Sequence, residues 1–370
     1  MITSTSSKTI CVAAPSLVYA YKKIMRPLKL CILAAILAAA PIAEAKGQKL
    51  TRQQRRARID SMLTARYYNS SYDTNYVARP EGRLTLKVRM NQTGNSFHAK
   101  GTLNGVSSKA DLSTSHKTTF SVAAIYRGLG LGVAINPAKW KGAYKDYEFN
   151  LNYYSSRISL DFSYQRSESL AGDLWFDDRL EHLESGDVTL KIVNLAGYYA
   201  FNHRHFSFPA AFTQSYIQRR SAGSFLAGIS YQGGSIDTND ELRARKPDAL
   251  DARIEVGHLG IGGGYGYNLV LGRKWLLHLS LLPTLVVYNR NKMTVRSGEE
   301  RLLGKDGKQN QSRHMRFNMI FNERAAIVHN FTSRYFASIT FVMNNSVFDD
   351  DIVVVNQNKW RARASFGMRL

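Results

Sequence analysis

The sequence predicts an all-β fold, an antiparallel transmembrane barrel of the outer-membrane type with about twelve strands. Three observations carry this reading: an export signal near the N-terminus, alternation of oily and polar side chains from Arg83 to the C-terminus, and connections that are long and short by turns.

The export signal comes first. Arg26 and Lys29 precede the apolar run Leu30 to Ala40, and Ala43 and Ala45 complete an A-x-A cleavage pattern. A signal peptide is therefore expected over residues 1–45, with Met25 an alternative start. Both cysteines, Cys11 and Cys31, precede the cut, which leaves the exported chain without disulfides or thiol chemistry. Lys29-Leu30 before Cys31 makes a poor lipoprotein box. An exported protein of this size without disulfides needs another source of stability, and a closed hydrogen-bonded barrel supplies one.

The formal charge of the 370 residues is +22, from 50 Lys and Arg against 28 Asp and Glu. The segment before the cut holds five bases and one acid, so 45 cations face 27 anions in the exported chain, or +18. Such a balance suits nucleic acid, but export points away from it. The partners implied are anionic outer-membrane lipid, lipopolysaccharide phosphates or acidic glycans, together with the barrel-assembly machinery that a barrel needs. Mean hydropathy slightly below zero argues against a helical membrane protein and leaves a barrel open, because barrel strands average oily against polar.

Residues 46–80 form a lead segment expected in the periplasm. Gln53 to Tyr68 places Ile59, Met62, Leu63 and Tyr67 near one face of a short basic helix. The barrel is expected over residues 81–370, where period two takes over. Leu84, Leu86, Val88 and Met90 alternate with Thr85, Lys87, Arg89 and Asn91. Tyr147, Phe149, Leu151 and Tyr153 alternate with Asp146, Glu148, Asn150 and Asn152. The final strand sets Trp360, Ala362, Ala364, Phe366 and Met368 against Arg361, Arg363, Ser365, Gly367 and Arg369. Successive strand residues point to opposite faces. A soluble sandwich would alternate in the same way, so loop lengths decide.

Strands read near 83–92, 112–126, 129–136, 145–154, 157–166, 188–202, 222–232, 254–268, 274–289, 313–329, 333–348 and 359–370. Alternate gaps are tight, at Arg127-Gly128, Ser155-Ser156, Leu269 to Arg273 and Asn330 to Thr332. The others run long, which is the asymmetry of an outer-membrane barrel. One gap on the tight side breaks the rule. His203 to Ser221, with Phe206, Phe208, Pro209 and Phe212, reads as a folded turn, a plug entering the lumen, or two further strands. Trp275 to Val287 is too short and Pro-interrupted for a spanning helix. Its two oily faces predict a strand packed on its lumen side, and the glycines Gly260 to Gly266 before it permit curvature or close packing.

Five segments resemble a known family. They are Tyr72-Asp73-Thr74-Asn75-Tyr76, Tyr126-Arg127-Gly128-Leu129-Gly130-Leu131, Phe208-Pro209-Ala210-Ala211-Phe212-Thr213-Gln214, Ser221-Ala222-Gly223-Ser224-Phe225 and Gly264-Tyr265-Gly266-Tyr267-Asn268. Their order resembles the Bacteroidota outer-membrane family catalogued as domain of unknown function 4421, over about residues 70 to 370. The resemblance implies a barrel in the outer membrane and no particular activity.

Candidate chemistry is of two kinds. His278-Leu279-Ser280 and His205-Phe206-Ser207 are His-x-Ser pairs. On a strand this spacing puts imidazole and hydroxyl on one face, and it resembles the pair that barrel lipases and lipid A deacylases carry. Leu281 and Phe208 stand where those enzymes have Asn, and no third group is identifiable. A hydrogen-bonded lumen histidine is the plainer reading of His278. The second kind is electrostatic. Pairing the first and last strands brings Lys87 and Arg89 to Arg361, Arg363 and Arg369, with Arg316 and Arg324 nearby, as a basic lumen wall. Asp146, Glu148 and Asp161 form an acidic patch a third of the way round. These either cross the lumen as salt bridges or leave a wall that attracts anions; the closed form is the expected one, since small barrels are filled. No metal site or cofactor is expected: His182, His203 and His205 lack ligand spacing, and Asp349-Asp350-Asp351 reads as a solvated acidic loop. Tyr153, Tyr164, Tyr198, Tyr267, Trp275, Tyr288, Tyr335 and Trp360 suit interfacial girdles. The expected role is envelope structure, or binding or passage of a small anionic or glycan-type solute. A lipid hydrolase using His278 and Ser280 is the alternative.

Overall fold

The computed structural model describes residues 51–68, 71–80, 82, 84–103, 106–126, 129–135, 146–176, 179–246, 251–297, 300–304, 318–349 and 353–370. The signal-peptide reading of residues 1–45 lies outside them, as does Arg316 of the expected basic wall. The chain divides into two compact units, Met1–Ile59 and Asp60–Leu370. Helix α1 (Arg52–Tyr68) covers the helix expected from Gln53. A capping box starts it: Gln54 N–H donates to Thr51 Oγ1 at 3.3 Å, and Thr51 N–H donates to Gln54 Oε1 at 2.9 Å.

Twelve strands of the second unit close into a ring. They are β1 (Leu84–Leu103), β2 (Lys117–Tyr126), β3 (Leu129–Ile135), β4 (Tyr147–Tyr154), β5 (Ile158–Ser167), β6 (Val188–Ala200), β7 (Ala222–Thr238), β8 (Asp251–Leu271), β9 (Trp275–Ser297), β10 (Met319–Asn330), β11 (Tyr335–Asp349) and β12 (Val353–Arg369). Each pairs antiparallel with the next. β12 returns to β1, with Val353 opposite Gly101 and Arg369 opposite Thr85. Leu84 and Leu370 exchange backbone hydrogen bonds of 2.9 and 2.6 Å at the seam. The ladder is continuous from strand to strand, although β3 and β4 share only the register pair Leu129 and Tyr153 among the described residues, and closure is what a bilayer requires of a spanning sheet.

The oily faces look outward. Val88, Val122, Leu160, Leu195, Ile229, Ile261, Leu281, Ile327, Ile339 and Phe366 are exposed on their strands, and Phe225 and Leu279 reach 71% and 70% exposure. A contiguous apolar surface of this extent is untenable in water. On β9 the outward positions Trp275 to Leu285 span about 34 Å along the strand, or roughly 26 Å along the axis at a tilt of about 40°. That height matches the ~25 Å lipid-facing band of outer-membrane barrels.

The short turns Ser155–Arg157, Gly272–Lys274 and Phe331–Arg334 lie at one end with both ends of the ring, the arrangement that outer-membrane barrels present on their periplasmic side. Gly272 takes φ +61°, which the tight β8–β9 turn demands and a side chain disfavours. At the other end β1 outruns β2. Its outer half pairs with a hairpin partner, Val106–Thr114, which pairs in turn with Leu170–Phe176 and then Arg179–Leu183. The single strand expected over 112–126 is thus two elements, parted at Ser115-His116, because a loop ribbon continues the barrel wall outside the bilayer. Phe97, Leu112, Leu170, Leu183, Leu190 and Ile192 pack there as an apolar layer with Leu242 of the short helix Asp240–Arg245.

On the β8–β9 pair, register partners lapse at Gly263 and Gly264, opposite Leu282 and Pro283. Proline brings no N–H to the ladder. A Cβ on Gly262 or Gly264 would sit 2.1 or 2.0 Å from the carbonyl oxygen of Pro283 or Leu281. The glycines therefore allow close approach, and Leu282 turns inward over Gly228, 1% exposed.

Candidate functional site

The long segment on the tight-turn side is a plug, not two more barrel strands. Residues 201–221 fold back beneath the lumen, carrying the short helix α2 (Phe208–Phe212). Pro209 suits the first turn because its missing N–H has no helical partner there. Ser207 caps the helix, accepting from Ala210 N–H at 3.3 Å, and Ser207 Oγ meets Tyr72 OH at 2.9 Å. Burial pushes the Tyr72 phenol far above its ordinary pKa, so it stays neutral. Val77–Ala78, the end of the lead segment, pairs with Ile217–Gln218 and ties that segment into the plug. Phe206, Phe208 and Phe212 pack against lumen residues Tyr154, Tyr198, Leu226 and Leu282. Ala210, Ala211 and Val77 meet Leu276, Ala326 and Val328. The plug explains why β9 is oily on its inner face.

Gln214 hangs the plug on the closure seam. It is fully buried, with φ 53°, a costly conformation for a non-glycine residue. Lys87 Nζ donates to its side-chain oxygen and, at 3.5 Å, to Phe212 O at the end of α2. Arg369 Nε donates to Gln214 O at 2.7 Å. Carbonyl oxygens at a helix C-terminus favour cations, so the plug answers part of the seam's positive charge.

Beside the plug lies a polar relay. His278 and Ser280 point into the lumen from β9, with His278 Nε2 2.9 Å from Ser280 Oγ. The third group is Asn268, directly across from His278 on β8, its Oδ1 2.7 Å from His278 Nδ1. Asn268 Nδ2 donates to Ser207 O and Gln218 Oε1, both at 3.0 Å. Its Oδ1 must therefore accept from His278 Nδ1–H, which leaves Nε2 to accept from the Ser280 hydroxyl. The polarity is that of a nucleophile, base and orienter. All three are buried, and the rings of Phe206, Phe208 and Phe212 lie 5.8, 5.4 and 5.0 Å from the imidazole. The second pair is not assembled: His205 turns to Asn202 and stacks on Tyr76, while Ser207 serves the helix cap.

Above the plug, charges span the lumen. Arg324 of β10 pairs with Asp161 of β5, and bonds Tyr154 OH at 3.1 Å and Tyr198 OH at 2.6 Å. Asp161 also accepts from Tyr154 OH at 2.6 Å and from Asn152. Arg361 of β12 meets Glu148 of β4 at 2.7 Å, with Lys359 3.7 Å from the same carboxylate. Asp146 pairs nearer the mouth with Lys117 at 2.8 Å. The acids of the sequence thus meet cations, and Arg324 and Lys359 take a larger part than the sequence indicated. A cavity of about 50 Å³ remains among these groups, room for a few waters.

Lys87, Arg89 and Arg363 stand apart. They face the lumen at the seam, and no carboxylate among the described residues pairs with them. Arg363 Nε donates to Asn91 Oδ1 at 2.6 Å. Tyr198 corrects an expectation: it is 4% exposed and serves the Arg324 cluster, because even positions of β6 face inward and Tyr199 takes the outer place. Tyr267, Trp275, Tyr288 and Tyr335 are exposed on the outer wall. No group of three metal-ligating side chains occurs among the described residues, and no helix among them is long and apolar enough to cross a membrane.

A closed antiparallel ring with an oily exterior and a polar, plugged interior defines a transmembrane β-barrel of the outer-membrane type. The chain belongs to the family described as domain of unknown function (DUF4421), whose model matches residues 71–369. Four of the five segments that carry the resemblance contribute residues to the plug or its contacts, namely Tyr72, Tyr76, Gln214, Ser224 and Asn268. No curated protein matches the sequence. Among solved structures, the chain is similar to the outer membrane protease OmpT from Escherichia coli, at 8% identity, covering 79% of this chain and 97% of that one with a TM-score of 0.34. It is also similar to OprG from Pseudomonas aeruginosa (10% identity, 79% and 98% covered, TM-score 0.26) and to an outer membrane channel from Pseudomonas putida F1 (11% identity, 80% and 99% covered, TM-score 0.25). Likenesses this distant say nothing about activity, and the fold assignment stands on the strand register itself.

Proposed function

We propose that the protein is a resting-closed outer-membrane barrel of a Gram-negative bacterium of the Bacteroidota, exported through a cleaved signal peptide. Its role is structural in the envelope, coupled to binding of a small anionic solute in its lumen. The packed lumen carries this reading: an aromatic plug below, an apolar layer above, and between them bridged charges around a cavity of about 50 Å³. An open porin needs a continuous aqueous path. Partnership with phospholipid of the inner leaflet is supported by the periplasmic rim. Arg157, Arg204, Arg219, Arg220, Arg273, Lys274 and Arg334 are exposed there, next to outward Trp275 and Tyr335, where headgroup phosphates sit. Purified protein in planar bilayers is expected to stay silent at moderate voltage; steady large conductance from the wild type would end the closed reading.

A second reading, lipid hydrolysis, draws support from the Asn268–His278–Ser280 relay and is opposed by its three phenylalanine neighbours. Purified protein and its Ser280→Ala variant should turn over phospholipid and lipid A equally poorly. A Ser280-dependent rate would favour the hydrolase.

A further inference from the structure

The closure seam holds two guanidinium groups whose surroundings lack the charge they need. Arg89 on β1 lies opposite Ser365, and Arg363 on β12 lies opposite Asn91, so the two are diagonal neighbours on the lumen face. Diagonal cross-strand positions lie about 7–8 Å apart, within reach of long side chains. Glu148 is taken by Arg361 and Lys359, and Asp161 by Arg324. Neither Arg89 nor Arg363 forms an ion pair with a described carboxylate, and Arg89 Nε is buried with no hydrogen-bond partner among the described residues. Lys87, itself buried, adds a third positive charge two residues along β1.

The neighbouring wall is small and polar. Arg89 faces Ser121 across the β1–β2 pair, with Ala123 beyond it, and its guanidinium lies 3.6 Å from where a Cβ on Gly132 would stand. Asn91 holds Arg363 through Nε and anchors itself by donating to Thr119 Oγ1 at 3.2 Å and Ser121 Oγ at 3.3 Å. That arrangement leaves the terminal nitrogens of Arg363 for a ligand. Adjacent like charges out of bulk water call for an anion, and two planar forks match the oxygens of phosphate or carboxylate.

We propose that Arg89 and Arg363, with Asn91 positioning Arg363, bind a small oxyanion of the phosphate or carboxylate class above the plug. This deepens the reading of an anion-binding lumen by naming its ligand chemistry and its residues. Lys87 contributes charge while its ammonium holds Gln214, so the bound anion also steadies the plug.

The test is refolding of the full chain in detergent across a phosphate series, with ionic strength held constant by chloride, followed by thermal unfolding. Acetate replaces phosphate in a second series. The wild type should gain a saturable rise in unfolding temperature, and R89Q and R363Q should each weaken the apparent affinity at least tenfold. R179Q, on the exposed hairpin strand Arg179–Leu183, should respond like the wild type. Should R363Q fail to refold, R363K keeps the charge without the fork and is expected to lose affinity similarly. A response that is absent or unsaturable in the wild type overturns the proposal, as does an equal response in the Arg89 and Arg363 variants. Conductance measured on the same samples is a separate readout. An open pore would sink the closed-lumen reading while leaving the phosphate series to judge the site.

Discussion

Asp161→Ala is expected to be among the most damaging substitutions in the lumen, although it removes only one small side chain. The carboxylate pairs with Arg324, whose side chain is 3% exposed, and accepts from Tyr154 and Asn152. Alanine leaves the guanidinium in a low-dielectric lumen facing two phenols and no anion. Breaking a buried pair by removing one partner costs about 3–5 kcal/mol. Removing both charges is another matter. The double variant Asp161→Leu with Arg324→Met leaves no stranded ion, and its cost of about 1–3 kcal/mol for each of two tyrosine hydroxyls without partners is offset by the desolvation penalty of two ions no longer incurred. Equilibrium urea unfolding in lipid vesicles, followed by tryptophan fluorescence, reads both. The reasoning fails if Asp161→Ala loses less than about 1 kcal/mol, or if the double variant is the less stable of the two. Either result would mean that Arg324 is solvated in the lumen and that water, not Asp161, carries its charge.

Three further outcomes follow from the same geometry. Leu281→Arg, on the outer face of β9 near the middle of the apolar band, should destabilise the vesicle-embedded barrel by about 2–4 kcal/mol, and a neutral effect would mean that this face does not meet lipid. Phe206→Ala, at a fully buried plug ring, should cost about 3–5 kcal/mol and produce intermittent conductance in bilayers; unaltered stability would deny the plug its packing role. Gly262→Ala and Gly264→Ala should block folding, whereas Gly263→Ala, whose Cβ would meet only Leu226 O at 3.4 Å, should assemble normally, as judged by heat-modifiable gel mobility.

The legibility of the site differs residue by residue. His278 and Ser280 share a face because they are two apart on a strand, and that was visible in the sequence. Asn268 was not recognised, although a signal existed: folding the β8–β9 hairpin about Arg273 sets Asn268 opposite His278, five residues away on either side. The seam cations were readable from the parity of β1 and β12 once the ring was assumed closed. The pairing of Asp161 with Arg324 was not, because β5 and β10 lie across the ring from each other and only strand tilt and stagger set their relative height. Tyr198 went astray for a simpler reason, since adjacent tyrosines on β6 offer two candidates and parity chooses between them.

By itself the sequence determined the all-β class, a barrel of about twelve strands and, within each strand, which side chains share a face. Those properties depend on local periodicity and on short connections, both written along the chain. The tertiary structure alone decided that residues 201–221 enter the lumen, that Gln214 ties them to Lys87 and Arg369, and which lumen cations find carboxylates. The contacts of Gln214, Arg324 and Arg361 join residues more than a hundred positions apart, so their energies depend on closure of the ring, which no local pattern encodes.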